Sequence, residues 1–247
     1  MQTADKTLRT QPADRVVRAA GALYLLFVVT SVPFIFAPQT LIVAGDATAT
    51  AHRILASETL FRIAIASGLI ATIIFVFLAR ELYRLLSSVN ETWALLMVVL
   101  VLLSVPISFV GILDEIAALT LIHGGPALSG LETNQRSALA MFFFGLNSDN
   151  FSLNSIFFGL WLFPFGMLVI RSGFIPGILG YLLIIAGSSY VVGSLNFVLS
   201  PPFANVVSTV VSVGYLGELG AVVWLVVAAA RVQFGHPLNL KPLEKKV

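Results

Sequence analysis

Long blocks of apolar residues, each about the length of a membrane-spanning helix, constrain this chain more than any other feature. The hydrophobic fraction is 58% and charged residues make up only 11%, whereas a soluble domain carries about 25% charged residues. So few charges cannot cover a surface that faces water. A spanning helix needs about 20 mainly apolar residues, so the blocks predict an integral membrane protein.

The blocks predict an all-α bundle of six transmembrane helices. The predicted spans cover about residues 17–36, 58–79, 92–121, 150–170, 176–199 and 204–230. The predicted domain order is therefore a tail at 1–16, a six-helix transmembrane domain at 17–231 and a second tail at 232–247. We interpret the first block as a retained helix, because it is long enough to span and no clear cleavage site follows it.

The fourth span has uncertain limits. Apolar character begins near Ala138, breaks at Asn147-Ser148-Asp149-Asn150 and resumes as far as Ile170. That length is about 33 residues, too long for one simple crossing at roughly 1.5 Å per residue. The segment 138–149 therefore either lies in the outer interface or extends the helix.

The distribution of lysine and arginine predicts the orientation. With six spans, eleven of these residues fall on one side of the membrane, namely Lys6, Arg9, Arg15, Arg18, Arg80, Arg84, Arg171, Arg231, Lys241, Lys245 and Lys246. The other side carries only Arg53, Arg62 and Arg136. By the positive-inside rule both termini are predicted to be cytoplasmic, in a multi-pass protein of the cell inner (plasma) membrane.

Composition and motifs exclude several functional classes. The chain has no cysteine, which excludes disulfides and thiolate nucleophiles. The basic residues form no continuous patch, so we expect no nucleic-acid partner. No phosphate-binding glycine loop, GxSxG or HExxH motif occurs. A metal site built from His52 and His123 near Asp114 and Glu115 is disfavoured, since neither histidine shows ligand spacing. We expect no cofactor and no metal, and we favour a protein that is not an enzyme.

Polar side chains inside the predicted spans are the candidate functional residues, because each ionisable one costs about 2.5–3.5 kcal/mol to place in hydrocarbon. One face of the third helix carries Ser104, Ser108, Gly111 and Glu115. One face of the fourth carries Asn147, Asn150 and Asn154. Helical periodicity places each set on one face of its helix. From their similar depth alone, we expect polar groups from four helices to converge on the outer half of the bundle. The candidates for ligand binding or proton coupling are Arg62, Asp114, Glu115, Asn147, Asp149, Asn150, Asn154, Tyr190 and Glu218.

Two interpretations of these residues stay open. In a structural one, Arg62 pairs with Glu58 or with an acid on the third helix and locks the bundle. In a functional one, the same groups line a water-accessible pocket. For Glu218 we favour function, because no basic residue lies near it in sequence. It is also placed to accept a hydrogen bond from Tyr190 or Tyr215.

Small residues and prolines predict how the helices pack. Gly214, Gly217 and Gly220 recur in the sixth span, and Ser189 and Gly193 form a small-xxx-small pair in the fifth. We expect these to allow close helix contacts. Pro106 and Pro164 each remove one helical hydrogen bond and are expected to bend their helices.

Several segments together resemble a known family. They are 18–26, 57–62, 82–86, 158–166, 171–176 and the run Gly217-Glu218-Leu219-Gly220. The set resembles the bacterial membrane proteins grouped as domain of unknown function 4386, over about residues 18–230. The resemblance implies a multi-span bacterial membrane protein and supplies no established activity.

Our leading hypothesis is a protein that binds or transports a small polar or lipid-like ligand through an outward-facing intramembrane pocket. Arg62 would be the anion partner, and Glu115 and Glu218 the proton or cation partners. The small size of the chain favours a homodimer if transport is the activity. The first alternative is a non-catalytic membrane scaffold or sensor accessory, and the second is an intramembrane hydrolase. The expected partners are the lipid bilayer and a small-molecule or lipid ligand.

Overall fold

The structure, a computed structural model, is helical throughout the part it describes. Backbone is described for residues 2–199, 207 and 217–233, and side chains for 14–199, 207 and 217–232. Within these residues no strand forms. The α-helices are α1 (Gln2–Leu41), α2 (Ala47–Ala56), α3 (Glu58–Leu86), α4 (Glu91–His123), α5 (Thr133–Leu160), α6 (Leu162–Ser172), α7 (Gly177–Leu199) and α8 (Gly217–Gln233).

Five helical segments are long and apolar enough to cross a membrane. They are Asp14–Leu41, Glu58–Leu86, Glu91–His123, Thr133–Ser172 and Gly177–Leu199. Each contains one of the first five predicted spans or nearly all of it. The first half of the predicted sixth span lies outside the described residues, and α8 covers the remainder. Large apolar side chains such as Phe36, Phe77 and Leu113 are exposed on these helices, as expected of surfaces that contact lipid.

The first helix continues past its predicted end. The first span was predicted to end near residue 36, just before Pro38, but α1 runs on to Leu41, and the amide of Ile42 donates to the Pro38 carbonyl at 2.8 Å. A proline removes one backbone hydrogen bond, which an apolar helix tolerates when its other bonds continue. The prediction was therefore wrong about the position of this end. The helical backbone also includes most of the predicted N-terminal tail, from Gln2.

The fourth apolar segment is a helical extension with one break. The helices α5 and α6 are separated only at Trp161, and together they form the segment Thr133–Ser172. The break follows from Pro164, which has no amide hydrogen to donate to the carbonyl four residues earlier. Phe165 resumes the pattern by donating to the Trp161 carbonyl at 3.3 Å. Pro106, by contrast, lies inside α4 without ending it.

The short helix α2 was not predicted. Asp46 caps it, because its carboxylate accepts a hydrogen bond from the Ala49 amide at 2.8 Å. The left-handed backbone of Gly45 (φ 76°) lets the chain turn just before this cap. An aspartate in this position is a recognised N-cap signal, so the sequence contained the information.

The chain divides into two compact units, and four helices contribute residues to both. Unit 1 comprises Met1–Leu26, Ile74–Ser104 and Ser155–Val247. Unit 2 comprises Phe27–Ile73 and Val105–Asn154. Each unit has its own buried side chains, with Leu78, Leu162 and Leu183 among those in unit 1 and Ile54 and Phe61 among those in unit 2.

Glycines allow close packing of helices in unit 1. A Cβ added to Gly180 of α7 would lie 2.5 Å from the Gly166 carbonyl oxygen, and one added to Gly159 would lie 2.5 Å from the Gly187 carbonyl oxygen. Gly159 and Gly166, on α5 and α6, are thus seven residues apart, which is about two helical turns. Gly180 and Gly187 on α7 have the same spacing. Gly217, one of the predicted small residues, packs in the same way. A Cβ added to it would lie 2.5 Å from the Leu182 carbonyl oxygen.

Replacing Gly180 by alanine should destabilise the protein, because the added methyl group would strike backbone. We expect a loss of about 1–3 kcal/mol in unfolding free energy, typical of overpacking, measured by denaturant titration in detergent. Gly177→Ala is the matched control, since a Cβ there meets nothing within 4 Å. Equal stability of the two variants would show that this close contact does not exist.

Candidate functional site

Polar side chains of α4 and α5 pair with each other inside unit 2. The Asn147 side-chain amide donates to Oε1 of Glu115 at 2.9 Å, and the Asn154 amide donates to the Ser108 hydroxyl at 2.9 Å. The two contacts are seven residues apart on each helix and run in opposite directions, so the helices are antiparallel here. This confirms the predicted polar faces of the third and fourth spans.

Gly111 lies between these contacts and makes room for them. A Cβ at this position would lie 2.8 Å from the Asn147 side-chain oxygen and 3.5 Å from Cγ of Asn150. A larger residue here would displace the Asn147 side-chain amide that donates to Glu115. The two helices therefore approach closely where their polar groups meet, as is typical of interhelical hydrogen bonding in membranes.

Glu115 is the least satisfied member of this polar cluster. The residue is only 1% exposed, and its Oε2 has no hydrogen-bond partner in the described part of the chain. A buried acceptor without a partner costs about 1–3 kcal/mol, and a charged one costs more. Such a group is expected to acquire a donor from water, a ligand or a proton.

A cavity of about 740 Å³ adjoins Glu115 within unit 2. Its apolar wall includes Phe34, Ile35, Pro38, Ile42, Met141, Phe144 and Phe151. Its polar lining residues are Gln39, Glu115, Asn147, Ser148 and Ser152. We call this cavity the unit 2 pocket. Its volume lies within the range of about 300–1,000 Å³ that small-molecule sites occupy.

Aromatic contacts hold the walls of the unit 2 pocket in place. The Phe144 ring meets Phe61 of α3 edge to face at a centroid distance of 5.8 Å. The Phe34 ring of α1 lies over Gly68 of α3, where a Cβ would come within 2.5 Å of it. Both wall residues are therefore anchored on α3, and the pocket lies between α1 and α5.

Arg62 is placed away from the unit 2 pocket. Its Nε donates to Oε1 of Glu58 at 2.6 Å, and its side chain is 59% exposed. His123 contacts the other carboxylate oxygen of Glu58 at 3.0 Å. Arg62 thus makes the ion pair with Glu58 that the structural interpretation requires. Arg62 is not among the residues that line the pocket.

The remaining candidates of unit 2 lie beside the polar cluster. Asp114 is partly buried and Asp149 is exposed, and neither lines the pocket. Asn150 is partly buried against Gly111. Within the described residues no group of three or more histidine, cysteine or acidic side chains could hold a metal ion. The two histidines considered for a metal site, His52 and His123, are respectively exposed and paired with Glu58.

A second polar cluster lies in unit 1 and centres on Glu218. The Tyr24 hydroxyl donates to Oε1 of Glu218 at 2.6 Å, and the Tyr190 side chain is a second hydrogen-bond partner of this carboxyl. The predicted contact with Tyr190 is confirmed, whereas Tyr215 lies outside the described residues. Tyr24 was missed, although a lone tyrosine in an apolar block is a recognisable signal.

Glycine also permits the contact between α1 and α8 that supports Tyr24. A Cβ added to Gly21 would lie 2.5 Å from Cβ of Ala229 and 2.6 Å from the Leu225 carbonyl oxygen. The backbone of α1 at Gly21, about one turn before Tyr24, therefore lies in contact with α8 at Leu225 and Ala229. Among the candidate residues, Glu115, Asn147 and Asn154 therefore make their contacts within unit 2, and Tyr190 and Glu218 within unit 1.

Apolar spanning helices with polar clusters between them define an all-helical protein of the membrane class. The chain belongs to the family described as Domain of unknown function (DUF4386), whose model matches residues 19–229. The resemblance seen in the sequence is thereby confirmed. No curated protein and no solved structure matches the chain.

Replacing Asn147 by leucine should lower the stability of unit 2, because both oxygens of Glu115 would then lack a donor. We expect the unfolding free energy to fall by about 1–3 kcal/mol, measured by thermal or denaturant unfolding in detergent. Asp149→Leu is the control, since Asp149 is exposed two residues away on the same helix. An Asn147→Leu protein as stable as this control would contradict the assignment.

Proposed function

We propose that this protein crosses the inner membrane of a bacterium six times, with both termini in the cytoplasm. The five apolar helical segments support the first five crossings. The helix α8 covers the second half of the predicted sixth crossing, and Arg231 lies in its last turn. The excess of lysine and arginine before the first span and after the second, fourth and sixth supports the orientation.

We further propose that the protein binds a small polar or lipid-like ligand in the unit 2 pocket. The observation that carries this proposal is the buried Glu115, which lines the cavity and leaves Oε2 without a partner. A largely apolar cavity with a few polar groups at its wall is the usual form of a small-molecule site.

The rim of the pocket favours a ligand that arrives from the membrane. Ile35 and Phe151 line the cavity and are also exposed, at 41% and 51%. Gln39 and Ser148 are exposed lining residues with polar side chains. A molecule with an apolar chain and one polar end would contact both kinds of group.

A non-catalytic scaffold accounts for part of the arrangement. The pairing of Glu218 with Tyr24 is what a helix-locking contact requires. Such a scaffold leaves the cavity beside Glu115 and the unpartnered oxygen there unexplained, so we favour ligand binding.

Single-cysteine labelling tests the proposed topology, and the natural chain has no cysteine to remove first. Ser129→Cys lies in the turn between α4 and α5, and Ser88→Cys in the turn between α3 and α4. A membrane-impermeant maleimide applied to intact spheroplasts should label the first variant. It should label the second only after the membrane is permeabilised. The reverse pattern would overturn the orientation.

Ligand binding can be followed by an environment-sensitive fluorophore on Ser152→Cys, a pocket position. The probes are octylamine, octanol and octanoate, added to the full chain in nanodiscs. At least one of them should shift the emission saturably. The shift should disappear in Gly145→Phe, because Gly145 lines the pocket and a Cβ there meets nothing within 4 Å.

The control for this measurement carries the fluorophore on Leu153→Cys, an exposed neighbour that does not line the pocket. Probes that dissolve only in the surrounding lipid should change both labelled proteins alike and without saturation. If no probe gives a saturable response that Gly145→Phe abolishes, the pocket is not a ligand site.

A further inference from the structure

The chemistry of the unit 2 pocket identifies the kind of ligand it would hold, and this inference rests on the proposed function. Glu115 is the one formally charged side chain among the lining residues of the pocket. Among the residues whose side chains the structure describes, no lysine, arginine or histidine lines it. An anionic head group would therefore meet a carboxylate without any compensating positive charge, which like-charge repulsion disfavours.

The hydrogen bonds of the Glu115 carboxylate narrow the choice of ligand head group further. A carboxylate accepts several hydrogen bonds through its two oxygens, but Asn147 supplies a donor to Oε1 alone. What the pocket lacks is a donor for Oε2. A quaternary ammonium carries no N–H and cannot supply one, whereas a protonated primary amine has three.

The other polar lining residues suit the same group. Gln39 and Ser148 each carry a side-chain oxygen that can accept a hydrogen bond, and both line the pocket. A protonated amine that pairs with Glu115 would have two further N–H donors to place on such acceptors. Charge-assisted hydrogen bonds of this type are about twice as strong as neutral ones.

The apolar wall accounts for the rest of the molecule. The rings of Phe34, Phe144 and Phe151 line the cavity together with Met141. An alkyl chain against these side chains would gain roughly 0.8 kcal/mol for each methylene group removed from water. Aromatic faces also attract cations, so the wall does not oppose a positively charged end.

We propose that the unit 2 pocket binds an amphiphile with a protonated primary amine, whose ammonium group pairs with Glu115 and whose apolar chain lies along the phenylalanine wall. The exposed lining residues Ile35 and Phe151 give the chain access from the side of the membrane.

The test compares octylamine, octyltrimethylammonium, octanol and octanoate on the Ser152→Cys labelled protein in nanodiscs. Octylamine should bind at least ten-fold more tightly than the other three. Glu115→Gln keeps an acceptor for Asn147 and removes the charge, and it should weaken octylamine at least ten-fold. Asp114→Asn is the matched control, because it removes the same charge from a neighbour that does not line the pocket, and it should leave octylamine binding unchanged.

Ser148→Lys is a second variant, and it tests the proposal even if the Glu115→Gln protein fails to fold. Ser148 is exposed and lines the pocket, so a lysine there would supply an ammonium of the protein's own and should compete with octylamine. Unfolding midpoints of all variants identify any that fail to fold.

The possible results separate the two proposals. Equal affinity for octanol or octanoate, or unchanged octylamine binding in both Glu115→Gln and Ser148→Lys, overturns the amine assignment. If Gly145→Phe still abolishes binding in that case, the pocket remains a ligand site for another chemistry. If Gly145→Phe has no effect on any probe, both proposals fail.

Discussion

The hydrogen bond from Asn147 to Glu115 is the interaction on which the polar part of unit 2 depends. In hydrocarbon no solvent is available to satisfy a polar group, so each must find its partner inside the protein. This bond holds the carboxyl at the wall of a cavity and orients the face of α5 that also carries Asn154. It satisfies one oxygen of Glu115, and the other oxygen has no donor among the described residues.

Glycine has a complementary role in both units. Gly111 leaves room for polar side chains between α4 and α5. Gly166 and Gly180, in contrast, allow the backbones of α6 and α7 to come close together. In a membrane, close packing of this kind replaces the hydrophobic effect as the source of helix association. The polar clusters and the glycine contacts therefore both hold helices together where no water is present.

Much of the fold could be predicted from sequence, because apolar block length and helical periodicity are local properties. The spans and the polar faces of α4 and α5 followed from these. The end of α1 could not be placed from Pro38, since a proline removes only one hydrogen bond. The partner Tyr24 of Glu218 was also out of reach, because it lies 194 residues away and no periodicity links them.

The central claim is that Glu115 meets a ligand amine inside the unit 2 pocket. Dipolar-coupling solid-state NMR tests it most directly, with ¹⁵N-octylamine and protein carrying ¹³C-labelled glutamate carboxyl groups in lipid. The account predicts a measurable ¹³C–¹⁵N dipolar coupling, as expected where the ammonium nitrogen lies about 2.7–2.9 Å from an oxygen of the labelled carboxyl group. This coupling should be absent in Glu115→Gln and present in Asp114→Asn. A coupling that persists without the Glu115 carboxyl, or no coupling at saturating amine, would contradict it.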